Sequence, residues 1–335
     1  MKKNRLILYI VYALPLPLIV LSICIGPSDV FNFNDALIWL KNHLFCSNEP
    51  NENSYIIQTI LLNVRLPRIL LAFMAGGVLA VSGAAMQAIF RNPLVSPYIL
   101  GLSSGAAFGA ALALSISFAQ VQVFAFGFGL IAVAMSYLAA IRQKQVSTVS
   151  LILSGVIVGG IFTALLTIVQ FMSDPFKLQT IVAWTMGNMH NTNWASVESV
   201  FIPVILSILI LFIFRWKLNV LALGDQEAQS SGLNPQRSRI IVLVAATLAS
   251  SAIISVTGVI GLFGLIVPHM VRMMVGPNNS VAIPVNFVFG GMFLLIIDDF
   301  SRTLYSFEIP IGIFTMLIGA PFFLYLMKKT KTVWE

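Results

Sequence analysis

The stretch RWKLNVLALGDQEAQSSGLNPQRSR at residues 215–239 is a polar run with a long apolar block on each side. Basic residues lie near its two ends, and acidic residues such as Asp225 lie near its middle. Apolar residues at helical spacing, with Gly224 and Gly232 near the ends, predict a short helix over residues 220–233. Two interpretations are open: a solvated loop between apolar segments, or a helix against which a soluble partner docks.

The composition is that of a membrane protein. Of the 335 residues, 58% are hydrophobic and 9% are charged, and the mean hydropathy is +0.94, whereas a soluble chain has about 25% charged residues. Apolar segments of about 20 residues recur, which is the length that crosses a bilayer as a helix. The sequence therefore predicts an all-α integral membrane protein, with one transmembrane domain over residues 1–335. Ten spans are expected at residues 6–27, 66–90, 98–118, 121–141, 148–171, 196–214, 239–260, 262–275, 281–299 and 309–327.

The charge distribution predicts the orientation of these spans. If they alternate from a cytoplasmic N-terminus, 14 of the 19 basic residues lie inside, as expected because cytoplasmic loops carry the excess of Lys and Arg. The five that lie outside are Lys41, Arg65, Arg68, Lys177 and Arg302. We therefore expect a cell (inner) membrane protein with both termini in the cytoplasm. The segments 28–64 and 173–193 are then outside, and 215–239 is a cytoplasmic region.

The chain carries little of the chemistry that an enzyme or an ion-coupled carrier needs. Asp298, Asp299 and His269 lie near span ends, whereas a coupled carrier keeps ionisable groups near the bilayer midplane. A phosphate-binding G-x-x-x-x-G-K-[ST] sequence is absent, and two cysteines give no disulfide framework. We expect no catalytic, metal or cofactor site. If the chain moves a solute uphill, a partner supplies the energy.

Three of the outer arginines are candidates for a docking surface. Arg65 and Arg68 share one helix face at positions i and i+3, and Arg302 follows Asp298 and Asp299 by about one turn. One interpretation is that these arginines anchor helix ends, with Arg302 paired internally to Asp298. The other is that they bind an acidic partner through charge complementarity.

Seven segments, in order along the chain, resemble those of one family. They are RLPR (65–68), SGAAMQAIFRNPL (82–94), P-x-x-LG-x-SSGA (97–106), LALGDQEAQSSGL (221–233), TGVIGLFGLIVPHMVR (257–272), D-x-x-x-R (298–302) and E-x-PIG-x-x-T-x-x-IGAPFF (308–323). Together they resemble the FecCD-type permeases of type II ABC importers, which include the vitamin B12, ferric siderophore and haem permeases and a molybdate/tungstate branch. The first span and the first outer loop are unmatched.

The resemblance implies a B12-permease-like fold of about ten helices per subunit. It also implies a homodimer with the pathway at its interface, two cytoplasmic ABC ATPase subunits and one periplasmic or surface substrate-binding protein, and no nucleic acid. ATP would be hydrolysed by the ATPase subunits and not by this chain. The cargo would be a metal-containing solute.

The resemblance also assigns roles to individual residues. The residues that match the coupling helices pressing on the ATPase are Leu221, Leu223, Gly224, Ala228, Gly232 and Leu233. The residues that match arginines meeting glutamates of the binding protein are Arg65, Arg68 and Arg302. The residues that match the cytoplasmic loops closing the pathway, here called the gate loops, are Asn92, Pro93, Leu94, Ser147 and Thr148.

The sequence leaves the cargo and one alternative function open. An iron-siderophore, haem or cobalamin chelate and a molybdate or tungstate oxyanion are all compatible with it, and His190 in the outer segment is either a contact for such a metal-bearing solute or an ordinary surface residue. The alternative is a stand-alone secondary carrier or channel, which would need no ATPase and would tolerate substitution of Gly224 or Ala228. A structural scaffold would transport nothing.

Overall fold

The computed structural model describes residues 2–26, 52–117, 120–142, 145–305 and 307–329. Much of the predicted outer segment 28–64 falls outside these residues. The helices of the described part are α1 (Lys2–Ala13), α2 (Pro15–Cys24), α3 (Glu52–Thr59), α4 (Leu66–Phe90), α5 (Leu102–Ser115), α6 (Val121–Ala140), α7 (Thr148–Met172), α8 (Pro175–Thr185), α9 (Trp194–Leu223), α10 (Asp225–Ser230), α11 (Pro235–Thr257), α12 (Phe263–Val275), α13 (Asn279–Thr303) and α14 (Ile311–Lys329). A short antiparallel hairpin joins α6 to α7 and consists of β1 (Ile141–Arg142) and β2 (Gln145–Val146).

The membrane-length helices confirm the all-α membrane fold. In the described ranges, seven helical stretches are long and apolar enough to cross a bilayer. Three shorter apolar helices coincide with the third, eighth and tenth predicted spans, at Leu102–Ser115, Phe263–Val275 and Ile311–Tyr325. The first span is divided into α1 and α2 just before Pro15, which occupies the first turn of α2, as expected for a residue that cannot donate a backbone hydrogen bond.

The second span begins earlier than predicted. A π-helical segment, Ile60–Arg65, joins α3 to α4, so the helix starts at Glu52 and not at residue 66. Pro67 has no N–H to donate to a carbonyl of the preceding turn, and a wider turn accommodates such an interruption. The indole Nε1 of Trp194 donates to the carbonyl oxygen of Leu62 at 2.8 Å instead. A partner from another helix thus satisfies a carbonyl that the proline leaves unbonded.

Helix α4 is the centre of the bundle. Nearly all its residues from Pro67 to Phe90 are buried, and it packs against α9, α11, α12 and α13. It approaches α13 most closely where Gly76 faces Gly290, because a Cβ atom on Gly76 would overlap the carbonyl oxygen of Gly290. Small residues let membrane helices approach to backbone contact.

The residues with predicted roles lie at two ends of the bundle, which are named here after them. The coupling end carries the 215–239 segment, the carboxyl end of α4 and the β1–β2 hairpin. The arginine end carries Arg65, Arg68 and Arg302. Helix α8, capped by the Asp174 side chain at Phe176 N and Lys177 N, lies at the arginine end within the predicted outer segment 173–193. With 11 residues it is too short to cross a bilayer.

Candidate functional site

The predicted helix over residues 220–233 is broken in the structure. Helix α9 continues to Leu223, and α10 covers only Asp225–Ser230. Gly224 lies between them with φ 154° and ψ 170°, and Gly232 after α10 has φ 78°. Both values lie in regions that glycine adopts without a Cβ penalty. The expectation of one continuous helix was therefore wrong, because the two glycines act as joints on either side of α10.

The six predicted coupling residues separate into buried supports and exposed positions. Leu221 and Ala228 are fully buried and pack in the core cluster that includes α4 and α11, and Gly224 is also buried. Leu223 is 71% exposed, Gly232 is exposed and Leu233 is half-buried. A partner can therefore reach Leu223 and Gly232, while Leu221 and Ala228 hold the segment in place.

The carboxylate of Asp225 receives two arginines from different helices. Arg239 of α11 donates from Nη1 to Oδ2 at 2.9 Å and from Nη2 to Oδ1 at 2.5 Å. Arg91, just after α4, has its Nη2 3.5 Å from Oδ1. Because a two-point arginine–carboxylate pair fixes orientation as well as distance, α10 is held in a defined position relative to α11. We call Asp225, Arg239 and Arg91 the carboxylate clamp.

The carboxyl end of α4 joins the clamp to both gate loops. Its final carbonyls have no partners within the helix: Ile89 O accepts from Arg239 Nε at 3.2 Å, and Phe90 O accepts from Thr148 Oγ1 at 3.3 Å. Arg91 ends the helix in the left-handed conformation, with φ 50°, and the Asn92 N–H returns to Gln87 O at 3.2 Å, as in a Schellman turn.

The gate residues stabilise the turns in which they lie. Asn92 Oδ1 accepts from Leu94 N at 2.9 Å, which closes the turn around Pro93. Ser147 caps α7, with its Oγ accepting from Ser150 N at 3.0 Å. The structure thus brings the predicted gate loops together at α4. Their role in closing a pathway stays a prediction.

At the arginine end, Arg68 of α4 binds two carboxylates. Its Nε and Nη2 donate to Asp298 of α13 at 3.0 and 2.9 Å, and its Nη1 donates to Glu308 at 2.8 Å. His190 Nδ1 lies 3.4 Å from the same Glu308 carboxylate. Burial raises the pKa of Glu308, but the hydrogen bonds and charge of Arg68, together with His190, outweigh it, so the pKa falls below its ordinary value. Glu308 is therefore held ionised against Arg68.

The other two arginines connect α2 to the same region. Arg302 donates to the Asp299 carboxylate, and its Nη2 donates to Ser22 Oγ at 2.8 Å. The Ser22 hydroxyl in turn donates to Asp299 at 2.7 Å. Arg65 donates from Nη1 to the carbonyl of Ile23 at 2.6 Å. The three arginines thus hold the ends of α2, α4 and α13 together.

Internal pairing describes these arginines better than an exposed surface does. Arg65, Arg68 and Arg302 are only 4%, 6% and 3% exposed. The expected pair between Arg302 and Asp298 is long, at 4.0 Å, and Asp299 is the closer partner. Docking of an acidic partner stays a prediction, and it requires the partner to approach or displace the internal carboxylates.

Sequence reasoning assigned no role to several of these residues. Asp225, Arg239 and Arg91 form the carboxylate clamp, and Glu308 completes the Arg68 site. The signal available was the rarity of charge, since the chain has only 12 acidic residues. In so apolar a chain each carboxylate is a candidate partner for a basic residue.

The relatives of the chain agree with this architecture. The model of the FecCD transport family matches residues 10–329. A Helicobacter pylori protein named "Probable iron chelatin transport system permease protein" is 36% identical over 301 residues, covering 90% of this chain and 91% of that protein. The molybdate import system permease protein MolB of Haemophilus influenzae is 40% identical over 277 residues, covering 82% of each chain.

A solved structure shares the fold. It shows an inward-facing conformation of a metal-chelate type ABC transporter, with a TM-score of 0.84 and 35% identity over 96% of this chain and 99% of that one. The family match, the relatives and the shared fold agree across nearly the whole chain. The chain therefore belongs to the FecCD transport family and is a permease subunit of an ABC importer.

Proposed function

We propose that two copies of this chain form the pathway of an importer for a metal-containing solute. Two ATPase subunits would bind the coupling end, and one substrate-binding protein would bind the arginine end. We assign α7 and α14 as the candidate faces for the second copy; both present apolar side chains that no other helix of the described part covers, such as Val156, Ile161 and Leu317. Under this proposal part of these faces contacts the second copy and part borders the pathway.

The observation that carries the proposal is an exposed leucine at the coupling end, held in place by buried neighbours. Leu223 extends into solvent at the end of α9, while Leu221 and Ala228 fix the backbone on either side of Gly224. A large apolar side chain exposed on a firmly anchored polar segment is suited to entering an apolar pocket of a soluble partner. The same end carries the gate loops, so a partner bound there is close to the elements it would move.

Orientation follows from the charge distribution. With 14 of the 19 basic residues on the side of the coupling end, the positive-inside rule favours a cytoplasmic coupling end and cytoplasmic termini. The ATPases then have access to ATP, and the arginine end faces the binding protein. Labelling a cysteine introduced at the exposed Ser230 with a membrane-impermeant maleimide in intact cells tests this, in a chain whose native Cys24 and Cys46 are replaced by serine. A cytoplasmic position 230 is then not labelled.

The cargo class comes from the relatives. One is named for an iron chelatin and another for molybdate, so we propose an iron chelate or a molybdate-type oxyanion for this chain. The two classes differ in size and charge, and a direct assay separates them. The assay is ATP hydrolysis by the reconstituted complex with its binding protein, measured with ferric siderophores, haem, cobalamin, molybdate and tungstate in turn.

Leu223 provides the matched test of ATPase coupling. Leu223→Arg places a charge on the exposed docking position, so we expect it to abolish co-purification of the ATPase. Leu223→Met keeps the apolar surface and should co-purify normally. If Leu223→Arg retains both the ATPase and its stimulation by cargo, docking at this segment is wrong. If the wild-type chain neither binds the ATPase nor changes its rate, the role of the whole coupling end is wrong.

Docking at the arginine end has its own test. If an acidic group of the binding protein reaches Arg68 by displacing Glu308, Glu308→Gln should strengthen binding, because it removes an internal competitor. Glu198→Gln removes an exposed carboxylate elsewhere at the same end and is the control. Binding unchanged in Glu308→Gln and unchanged by raised salt would contradict docking through these charges.

A further inference from the structure

The coupling helix α10 is joined to the rest of the chain through a glycine on either side. Gly224 precedes it and Gly232 follows it, each in a conformation that favours glycine. Its six residues make about 1.7 turns, too few to be stable without outside contacts. What fixes α10 in place is therefore its side-chain contacts, chiefly Ala228 in the core and Asp225 in the carboxylate clamp.

The clamp fixes the orientation of α10 and adds little to the stability of the fold. The side chains of Asp225 and Arg91 are 43% and 47% exposed, and that of Arg239 is 19% exposed. Pairs this open to solvent contribute little to folding. The two-point bond between Asp225 and Arg239 nevertheless restricts how α10 can rotate against α11. Removing it should change the position of α10 while the fold remains.

The clamp is also connected to α4, the helix at the centre of the bundle. Arg239 binds both Asp225 and the carbonyl of Ile89, and Arg91 continues directly from α4. The next carbonyl along, that of Phe90, is bound by Thr148 at the start of α7. A displacement of Asp225 therefore has a continuous polar route to α4 and then to α7.

Open space beside the clamp allows such a displacement. A partly open cleft of about 950 Å³ lies next to α10, and its lining includes Asp225 and Arg239 of the clamp together with Phe90, Tyr137 and Leu243. Close-packed interiors resist movement, whereas an element beside open space can shift without compressing its neighbours. Helix α10 is thus held by Ala228 and the clamp on one side and borders open space on another.

We propose that Asp225 is the positioning residue through which movement of the coupling helix reaches α4 and α7. Its two arginine partners convert a displacement of α10 into a pull on the carboxyl end of α4, where the gate loops meet. This inference rests on the proposed docking of an ATPase at the coupling end. It goes beyond that docking because Asp225, Arg239 and Arg91 act inside the permease.

Transport per ATP hydrolysed is the decisive measurement. The full complex, with ATPase and binding protein, is reconstituted in liposomes with the cargo that stimulates the wild type. Asp225→Asn should retain the bound ATPase and its hydrolysis but lower transport per ATP by about fivefold or more, the lower end of typical coupling between sites. Glu227→Gln, which removes the other carboxylate of α10, should leave the ratio within about twofold of wild type.

A double-substitution cycle tests whether the clamp acts as a unit. Arg239→Gln should lower the ratio as Asp225→Asn does, and the two together should do no more than either alone, because both interrupt the same route from α10 to α4. Additive losses would mean independent roles and would overturn the proposal. Equal losses in Asp225→Asn and Glu227→Gln would also overturn it, because any loss of charge on α10 would then suffice.

A distance measurement tests the same inference if transport by the Asp225→Asn complex is too weak to measure. Spin labels at the exposed Ser230 of α10 and Val149 of α7 report their separation with and without ATP. The distance from each of these two labels to a third label at the exposed Tyr305 is also measured. In the wild type both labels should move when ATP binds, and in Asp225→Asn only the label on α10 should move. If both labels move in Asp225→Asn as they do in the wild type, the inference is wrong but the proposed function stands. If neither label moves in the wild type, the proposed function is wrong.

Discussion

Arg68 of α4 and Asp298 of α13 form a buried two-point ion pair, with Nε–Oδ2 and Nη2–Oδ1 distances of 3.0 and 2.9 Å. The Asp298 side chain is completely buried and the Arg68 side chain is 8% exposed. The pair joins the two helices that pack most closely in the bundle. Its position explains why Arg68 is part of the framework of the arginine end as well as a candidate for docking.

Loss of the Asp298 charge should destabilise the fold strongly. Asp298→Asn leaves the buried Arg68 with Glu308 alone, and breaking a buried pair costs about 3–5 kcal/mol. We expect a loss of that order in the free energy of unfolding, measured by denaturant titration in mixed micelles. Asp174→Asn is the control, because Asp174 is exposed and asparagine caps helices as well as aspartate does. Equal stability of the two variants would contradict a structural role for the pair.

Acid should loosen the arginine end through Glu308. Its pKa is lower in the folded protein than in the unfolded chain, so its contribution is complete above the unfolded value of about 4.3 and is lost as pH falls through the folded value. Unfolding midpoints measured between about pH 6 and about pH 3 should therefore fall more steeply with falling pH in the wild type than in Glu308→Gln. Identical slopes would show that Glu308 does not contribute.

Gly76→Ala should disrupt the crossing of α4 and α13. The added Cβ would overlap the backbone of Gly290, and a backbone carbonyl cannot rotate away as a side chain can. Overpacking of this kind costs about 1–3 kcal/mol. At Gly127 of α6 a Cβ meets nothing within 4 Å, so Gly127→Ala should be neutral or stabilising because alanine favours helix. Thermal unfolding in detergent compares the two variants.

The Trp194 side chain should matter only while Pro67 is present. Trp194→Phe removes the donor to Leu62 O and should cost about 0.5–1.5 kcal/mol, the net value of one hydrogen bond. In a Pro67→Ala background the backbone regains an N–H, and the same substitution should cost less. Unfolding free energies of the four proteins in this cycle give the coupling. Full additivity would mean that the indole does not replace the missing backbone donor.

The elements of the fold were largely predictable. Helices such as α7 and α13 are found within a few residues of the predicted spans, because a segment crossing a bilayer must be long, apolar and internally hydrogen-bonded. The boundaries that failed were those set by tertiary partners. Residues 52–65 are helical and continue into α4, and Trp194 donates a hydrogen bond to this extension. The predicted coupling helix is broken at Gly224.

The site was predictable as segments but not as contacts. The LALGDQEAQSSGL segment was predicted to be the coupling region, which stays a prediction, and its sequence does not show that Leu221 faces the core while Leu223 faces solvent. The arginines were noticed because they break the charge rule, and burial among Asp298, Asp299 and Glu308 appears only in three dimensions.

The sequence by itself determined the membrane environment, the approximate positions of the long apolar helices and the family, because hydropathy and short motifs are local properties of the chain. The tertiary structure decided which charges are buried and which residues meet across long sequence separations. Arg68 is paired with residues 230 and 240 positions away, and Arg239 binds a carbonyl 150 positions away. In an apolar bundle a buried charge needs a partner, and helix packing alone decides which partner is within reach.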